Sequence, residues 1–460
     1  MSSSTTQERA PLLPSTHSPD ERGLPTTDPD THAPPQKHTS LKITLSSLLT
    51  LLLISAIVAL VTWLEQGLPS DPEKAALAIL KSAPVIVSLW AISGSATADT
   101  DLFLTVRDTK AAITDLPELV RVVYKNNITA FNLHERMPAH VDIPRIRKGR
   151  VGGFFWSVYV GCKDDGPDFL VPTNRVRDTL EQIDVAKLLI QQYPDTFLLA
   201  TSTVDIKEAL RVGKVASLIG VEGGHQLGNS LAVLRQYQAL GARYLTLTHS
   251  CNNAFADSAG ISTPVPPTHG GLSELGEDLV LELNRLGMLV DLSHTSDETA
   301  VQALQLSHAP VIWSHSSARA VHNHPRNVPD YILEMVGTGK GKKDGVVMIN
   351  FSSGFVANPG NASVAVVADH VEHIGRIAGR KHVGIGSDYD GVSSTPVGLE
   401  DISTYPALFT ELLRRGWSRS ELVGLASGNL LRVFEGAEAV ARQLSRLPPS
   451  MARYQNRTDL

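Results

Sequence analysis

Two short apolar runs constrain this chain more than any other feature: LVDLSH and PVIWSHSS, both within Leu289 to Ser317 and both reaching Ser-His at or near their ends. Each run is brief, β-branched and not amphipathic, as strands buried on both faces are. Between them the sequence reads as a helix, with Thr295 and Glu298 spaced as a capping box and Ala300, Val301 and Leu304 on one face. A βαβ unit follows, placing His294 and His315 at the carboxyl ends of neighbouring parallel strands. In α/β barrels that end carries the active site. Two imidazoles side by side there read as metal ligands rather than as two core histidines.

The same alternation runs along most of the chain. VGGFFWSVYVGC, VASLIGVEGGH, ARYLTLTHSCN, GVVMINFSS and HVGIGSDYDG read as strands. Helical patterns over Val176–Gln191, Leu231–Leu240 and Glu277–Leu286 lie between them, and Gly241 and Gly287 supply stops. About eight strands in this rhythm predict an α/β fold, a (β/α)8 TIM-like barrel. A doubly wound open sheet is the alternative, but it would carry a Gly-rich phosphate loop after its first strand, and none is present. The GTGKGKK run lacks P-loop spacing and reads as a solvated turn. With 460 residues and 42% apolar content there is ample core. The net charge of -6, without a basic stripe, argues against a nucleic-acid partner.

The amino-terminal region has a different character. Residues 1–42 are rich in Ser, Thr and Pro and read as a disordered tail, with an ERAPLL stretch at Glu8–Leu13 of the acidic dileucine type. Ile43–Leu64 follows, 22 uncharged residues, long enough to cross a bilayer as a signal-anchor helix. Lys37 and Lys42 precede it, and Glu65, Asp71 and Glu73 follow it. The positive-inside rule then predicts a single-pass type II protein, anchored in the membrane by this helix, with everything after Gln66 lumenal or extracellular, in a vacuolar or endosomal setting if the dileucine signal acts. A stalk and first helix over 65–82, a barrel over 83–445 and a flexible tail over 446–460 complete the expected organisation. In an oxidising lumen Cys162 and Cys251 would be free to pair. Asn127, Asn361 and Asn456 head glycosylation sequons; Asn350 heads another, inside an apolar run that should block it.

Six polar residues close apolar strands: Asp115, Glu222, His249, His294, His315 and Asp388. Strand interiors have no use for charge, and burying it unpaired is costly. Gathered at one barrel mouth, these groups would hold divalent cations, with a carboxylate bridging two ions around an activated hydroxide. Imidazole with carboxylate suits zinc best. His249 could instead cap a turn, and Arg326, in a loop, could serve as a surface charge. Asp388 is preferred over Asp390 because it follows the strand directly.

The motifs GVEGGH, LTHSCN, DLSH, PVIWSHSSAR, HPRNVPD, GIGSDYDGV and GNLLRVF, in this order, resemble the membrane (renal-type) dipeptidase family, zinc metallopeptidases with an amidohydrolase-like barrel. The resemblance implies hydrolysis of dipeptides at a centre of two zinc ions. It implies that Glu222 bridges both ions, that His294 and His315 bind one, and that a His-x-Asp pair ending in Asp115 binds the other. It also implies that His249 and Arg326 hold substrate or the tetrahedral intermediate, that Asp388 both contacts substrate and moves the proton to the leaving amine, and that Cys162 and Cys251 are disulfide-linked. A homodimer is a further expectation. One departure stands out. The family's first strand runs without interruption into His-x-Asp, whereas here Val87–Thr114 intervenes without clear period. Ile113 stands where the histidine belongs, and no histidine occurs between His38 and His134. His140-Val141-Asp142 has the right spacing but leads into a different strand region. One zinc site is therefore expected to lack an imidazole. That leaves a catalytically impaired binding module, or another amide or lactam hydrolase, as the competing readings. A misplaced exon junction would account for the interruption, and sequencing the transcript tests it.

Overall fold

VASLIGVE and GVVMI are buried along their whole length, as strands covered on both faces must be. The computed structural model describes residues 39–88, 116–162, 166, 168–171 and 173–456. Among these, nine strands form: β1 (Val85–Ser88), β2 (Val151–Ser157), β3 (Phe197–Leu199), β4 (Val215–Glu222), β5 (Ala242–Thr246), β6 (Leu289–Asp291), β7 (Val311–Trp313), β8 (Gly345–Ile349) and β9 (Val383–Ile385). Every pairing between them is parallel. β1 meets β9 through Val87 and Ile385, and β2 meets β4 from Gly153 opposite Ala216 to Ser157 opposite Gly220. Eight strands, all but β3, thus close on themselves. This is the expected barrel, and closure excludes the open doubly wound sheet. β3 pairs with Val215–Ser217 at the start of β4, before β5 takes over from Ile219. Three residues show no period, which is why β3 is not legible in the sequence.

Apolar side chains from the strands fill buried clusters, one of which gathers Ile86, Phe155, Leu218, Tyr244, Ile312 and Met348. The helices Leu231–Leu240 and Glu274–Leu286 end on Gly241 and Gly287, both left-handed, as their spacing predicts. The helix after β6 is capped differently from the expectation. It runs over Asp297–Leu306, and Ser296, not Thr295, accepts from the Thr299 N–H. The Thr295 hydroxyl is already used, donating back to the Leu292 carbonyl at 2.7 Å. That turn lies directly around His294.

The chain divides into two compact units, 1–63 and 64–460. In the first, a helix begins that spans Thr39–Gln66. Among the described residues, however, no helix is long and apolar enough to cross a membrane. The expectation of a single-pass type II protein anchored through Ile43–Leu64, with its lumenal or extracellular placement, is therefore overturned. The topological argument for glycosylation goes with it, although Asn127, Asn361 and Asn456 are exposed and Asn350 is buried. The 1–38 segment, with ERAPLL, lies outside the described residues. So do 89–115, which include Ile113, Asp115 and most of the anomalous stretch; its first two residues, Val87 and Ser88, continue β1.

Candidate metal centre

Because all barrel strands run the same way, their carboxyl ends share one rim, and the residues just past those ends meet there. Glu222 is the last residue of β4. His249 lies three residues beyond β5, His294 three beyond β6, His315 two beyond β7 and Asp388 three beyond β9. The strands themselves stop earlier than the sequence suggests, and short turns carry the histidines inward. His294 and Asp388 adopt φ of 65°, and Asp390 of 68°. Non-glycine residues pay for that conformation in strain, which concentrates at functional sites.

The register of β4 to β7 places four of these side chains in one cluster. Glu222 Oε1 lies 3.0 Å from His294 Nε2 and 3.3 Å from His249 Nε2. His315 Nε2 is 2.9 Å from His294 Nε2. The rings of His249 and His294 are 4.2 Å apart, and the Tyr159 ring lies 4.6 Å from that of His249, tilted against it. The Ser157 hydroxyl donates to the second Glu222 oxygen at 3.4 Å. All four residues are buried. Burial first, and the Arg326 charge next, hold His294 and His315 well below the usual histidine range, so both imidazoles are neutral and keep a lone pair for a cation. Donor atoms of Glu222, His249 and His294 all fall within 4.8 Å of one another. A buried carboxylate among neutral imidazoles at this spacing fits a borderline divalent cation.

Arg326 is buried, not the surface charge its loop position also allowed. Its Nη2 donates to His315 Nε2 at 2.8 Å. Burial pulls the guanidinium to about 10, against the pull of Asp388, Glu222 and Asp291 in the other direction. Asp388 accepts from Asn350 Nδ2 at 2.7 Å. Burial pushes its carboxyl up to about 8, opposed by that hydrogen bond and by Arg326. His140 is tied to Asp390: the His140 N–H donates to Asp390 Oδ1 at 2.5 Å, and the Asp390 N–H donates to His140 Nδ1 at 3.0 Å. Asp142 caps the helix Ile143–Lys148 and pairs with Arg145 at 2.6 Å, so His140 and Asp142 serve the scaffold separately. Cys162 and Cys251 form a disulfide between the segment after β2 and the loop after β5. Asp115 lies outside the described residues.

Four contributors are given no role at the site by the sequence reading: Tyr159, Asn350, Ser314 and Asp291. Two of them leave a signal: Ser314 in the repeated Ser-His pattern, and Asp291 as a carboxylate inside the apolar run LVDLSH. Asp291 is wholly buried and accepts four hydrogen bonds. Burial raises its carboxyl above the ordinary range while those bonds pull it down.

The family model described as membrane dipeptidase (peptidase family M19) matches residues 107–447. Dipeptidase aclJ of Aspergillus oryzae is 46% identical over 331 residues, 71% of this chain and 77% of the relative. An uncharacterized dipeptidase of Schizosaccharomyces pombe, C3A11.10c, is 44% identical over 342 residues, 73% of this chain and 82% of the relative. Among solved structures, the probable dipeptidase PvdM from Pseudomonas aeruginosa superposes with a TM-score of 0.66 at 19% identity, covering 81% of this chain and 100% of its own. A metallo peptidase from Rhodobacter sphaeroides, liganded with a phosphinate mimic of the dipeptide L-Ala-D-Ala, gives 0.62 at 24%, covering 77% and 99%.

Proposed function

The chain belongs to the membrane dipeptidase family, peptidase family M19, and from that premise we propose that it cleaves the peptide bond of dipeptides at the rim where Glu222, His249, His294 and His315 meet. The observation that carries this reading is Glu222 Oε1 lying 3.0 Å from His294 Nε2, with His315 Nε2 a further 2.9 Å on. Zinc is the ion this donor set suits best. Glu222, His294 and His315 would hold one ion. A second, as the family resemblance implies, would draw on Glu222 and Asp115 without the imidazole that Ile113 replaces. A bound divalent cation supplies Lewis-acid polarisation of the scissile carbonyl and brings the pKa of water close to neutral.

The remaining work falls to the chain's own side chains. Arg326 would offer a buried, positively charged fork for the carboxylate of a dipeptide or the oxygen of the tetrahedral intermediate. His249, whose ring lies 4.6 Å from Tyr159 and 4.2 Å from His294, would donate to that same oxygen. Asp388 is protonated up to about pH 8 in this environment and would release its proton to the leaving amine. Glu222→Gln keeps the shape and removes the charge. Its kcat/KM on a panel of dipeptides should fall at least about 10³-fold, or ~4 kcal/mol, with the circular-dichroism spectrum unchanged. Wild-type-like rates would refute the site.

Ile113 favours one competing reading, a catalytically impaired module. Zinc content per purified chain separates the two: about two ions with chelator-sensitive dipeptide hydrolysis support the enzyme, and one or none supports the module.

A further inference from the structure

The repeated Ser-His pairs leave one question open: why serine stands before both histidines. The answer lies around Asp291, at the end of β6. A carboxylate wholly buried there must be compensated. Its Oδ1 accepts the backbone N–H of Ser293 at 3.1 Å and of Ser314 at 2.9 Å. Its Oδ2 accepts the hydroxyls of Thr246 at 2.7 Å and Ser314 at 2.5 Å. Both Ser-His turns therefore hang from one carboxylate. Ser293 adds a link between them, its Oγ accepting the His315 N–H at 3.0 Å.

Ser314 has a single hydroxyl proton. Once that proton is given to Asp291, the oxygen facing His315 Nδ1 at 3.0 Å can only accept. The imidazole proton must then sit on Nδ1. On the opposite side of the ring Nε2 has two neighbours: His294 Nε2 at 2.9 Å, which can donate or accept, and Arg326. Arg326 Nη2 only donates, and it lies 2.8 Å from His315 Nε2, which favours the lone pair on Nε2.

We propose that Asp291, acting through Ser314, is a positioning residue that fixes the tautomer and ring orientation of His315, so that Nε2 faces the cation site. This rests on the reading of His315 as a ligand. No proton is transferred; the relay orients a ring. Second-shell partners of this kind typically change cation affinity by about 10–100-fold. The serine is selected because a hydroxyl donates to the carboxylate and accepts from the imidazole at the same time.

The test uses the full chain, with zinc affinity read by competition against a chromogenic chelator and the His315 tautomer read from imidazole nitrogen resonances of the cation-free protein. Ser314→Ala should weaken zinc binding about 10–100-fold, and Ser314→Thr, which keeps the hydroxyl, should restore most of it. The cation-free wild type should show His315 protonated on Nδ1, and Ser314→Ala should lose that preference. Asp291→Asn should act in the same direction; if it does not fold, the two Ser314 variants still decide. Zinc affinity unchanged in Ser314→Ala, or a wild-type His315 protonated on Nε2, overturns the relay. A His315→Ala chain that binds zinc as tightly as wild type defeats the ligand reading instead, and the tautomer measurement then decides the relay by itself.

Discussion

Asp388 concentrates the chemistry of the rim in one residue. It follows a strand, bends at φ 65°, and receives Asn350 on one oxygen. In the unfolded chain an aspartate titrates near ~4. Burial lifts Asp388 to about 8 in the fold. The folded pKa lies above the unfolded one, so the folded protein holds a proton that the unfolded chain has already lost. Its stabilising contribution is complete below about pH 4 and is lost as pH rises through about 8. Asp388→Asn removes this slope. In cation-free protein, the urea midpoint of the variant should gain on wild type progressively from pH 4 to pH 8, while dipeptide turnover drops by at least about 10²-fold. A midpoint difference that stays flat across that range would contradict the assignment. At this scale the candidate residue types are legible in the sequence but their surroundings are not. Nothing in HPRNVPD says whether Arg326 is buried, because the groups that bury it come from other strands.

The strand ends and the turns that follow them decide the geometry. Gly386, just past β9, allows a close approach: a Cβ there would lie 1.9 Å from the Ser314 carbonyl oxygen and 3.0 Å from the His315 Cα. Gly386→Ala must therefore push the His315 turn or the β9 end outward. Overpacking of this kind costs about 1–3 kcal/mol, and zinc affinity should fall with it if the displaced turn carries His315 as the proposed ligand. Calorimetric melting and chelator competition on the same variant would show both effects; unchanged affinity would contradict the coupling of this turn to the cation site. Strands such as Val215–Glu222 are legible because an unbroken apolar run has few other uses. The three-residue β3 and the cap at Ser296 are not, since too few residues carry the pattern and two hydroxyls in succession, Thr295 and Ser296, compete for one role.

For the whole molecule, closure of β1 on β9 fixes the rim, and the Cys162–Cys251 disulfide ties two of its segments across a sequence separation of 89. A cross-link over a loop of that length restricts the unfolded chain most. Cys162→Ser with Cys251→Ser should lower the unfolding free energy by about 2–5 kcal/mol in urea titration. A smaller loss would place the holding of the rim in the barrel itself.

The sequence by itself determined the alternation of strands and helices, the barrel they predict, and the polar residue that follows each of several strands, because periodicity and strand-end chemistry are local properties. Tertiary structure alone decided that Glu222, His249, His294 and His315 converge within a few ångströms, that Arg326 is buried against His315, and that Asp291 ties the two Ser-His turns together. Those facts depend on distances between segments far apart in the chain. Such distances exist only once parallel strands lie side by side and the sheet has closed.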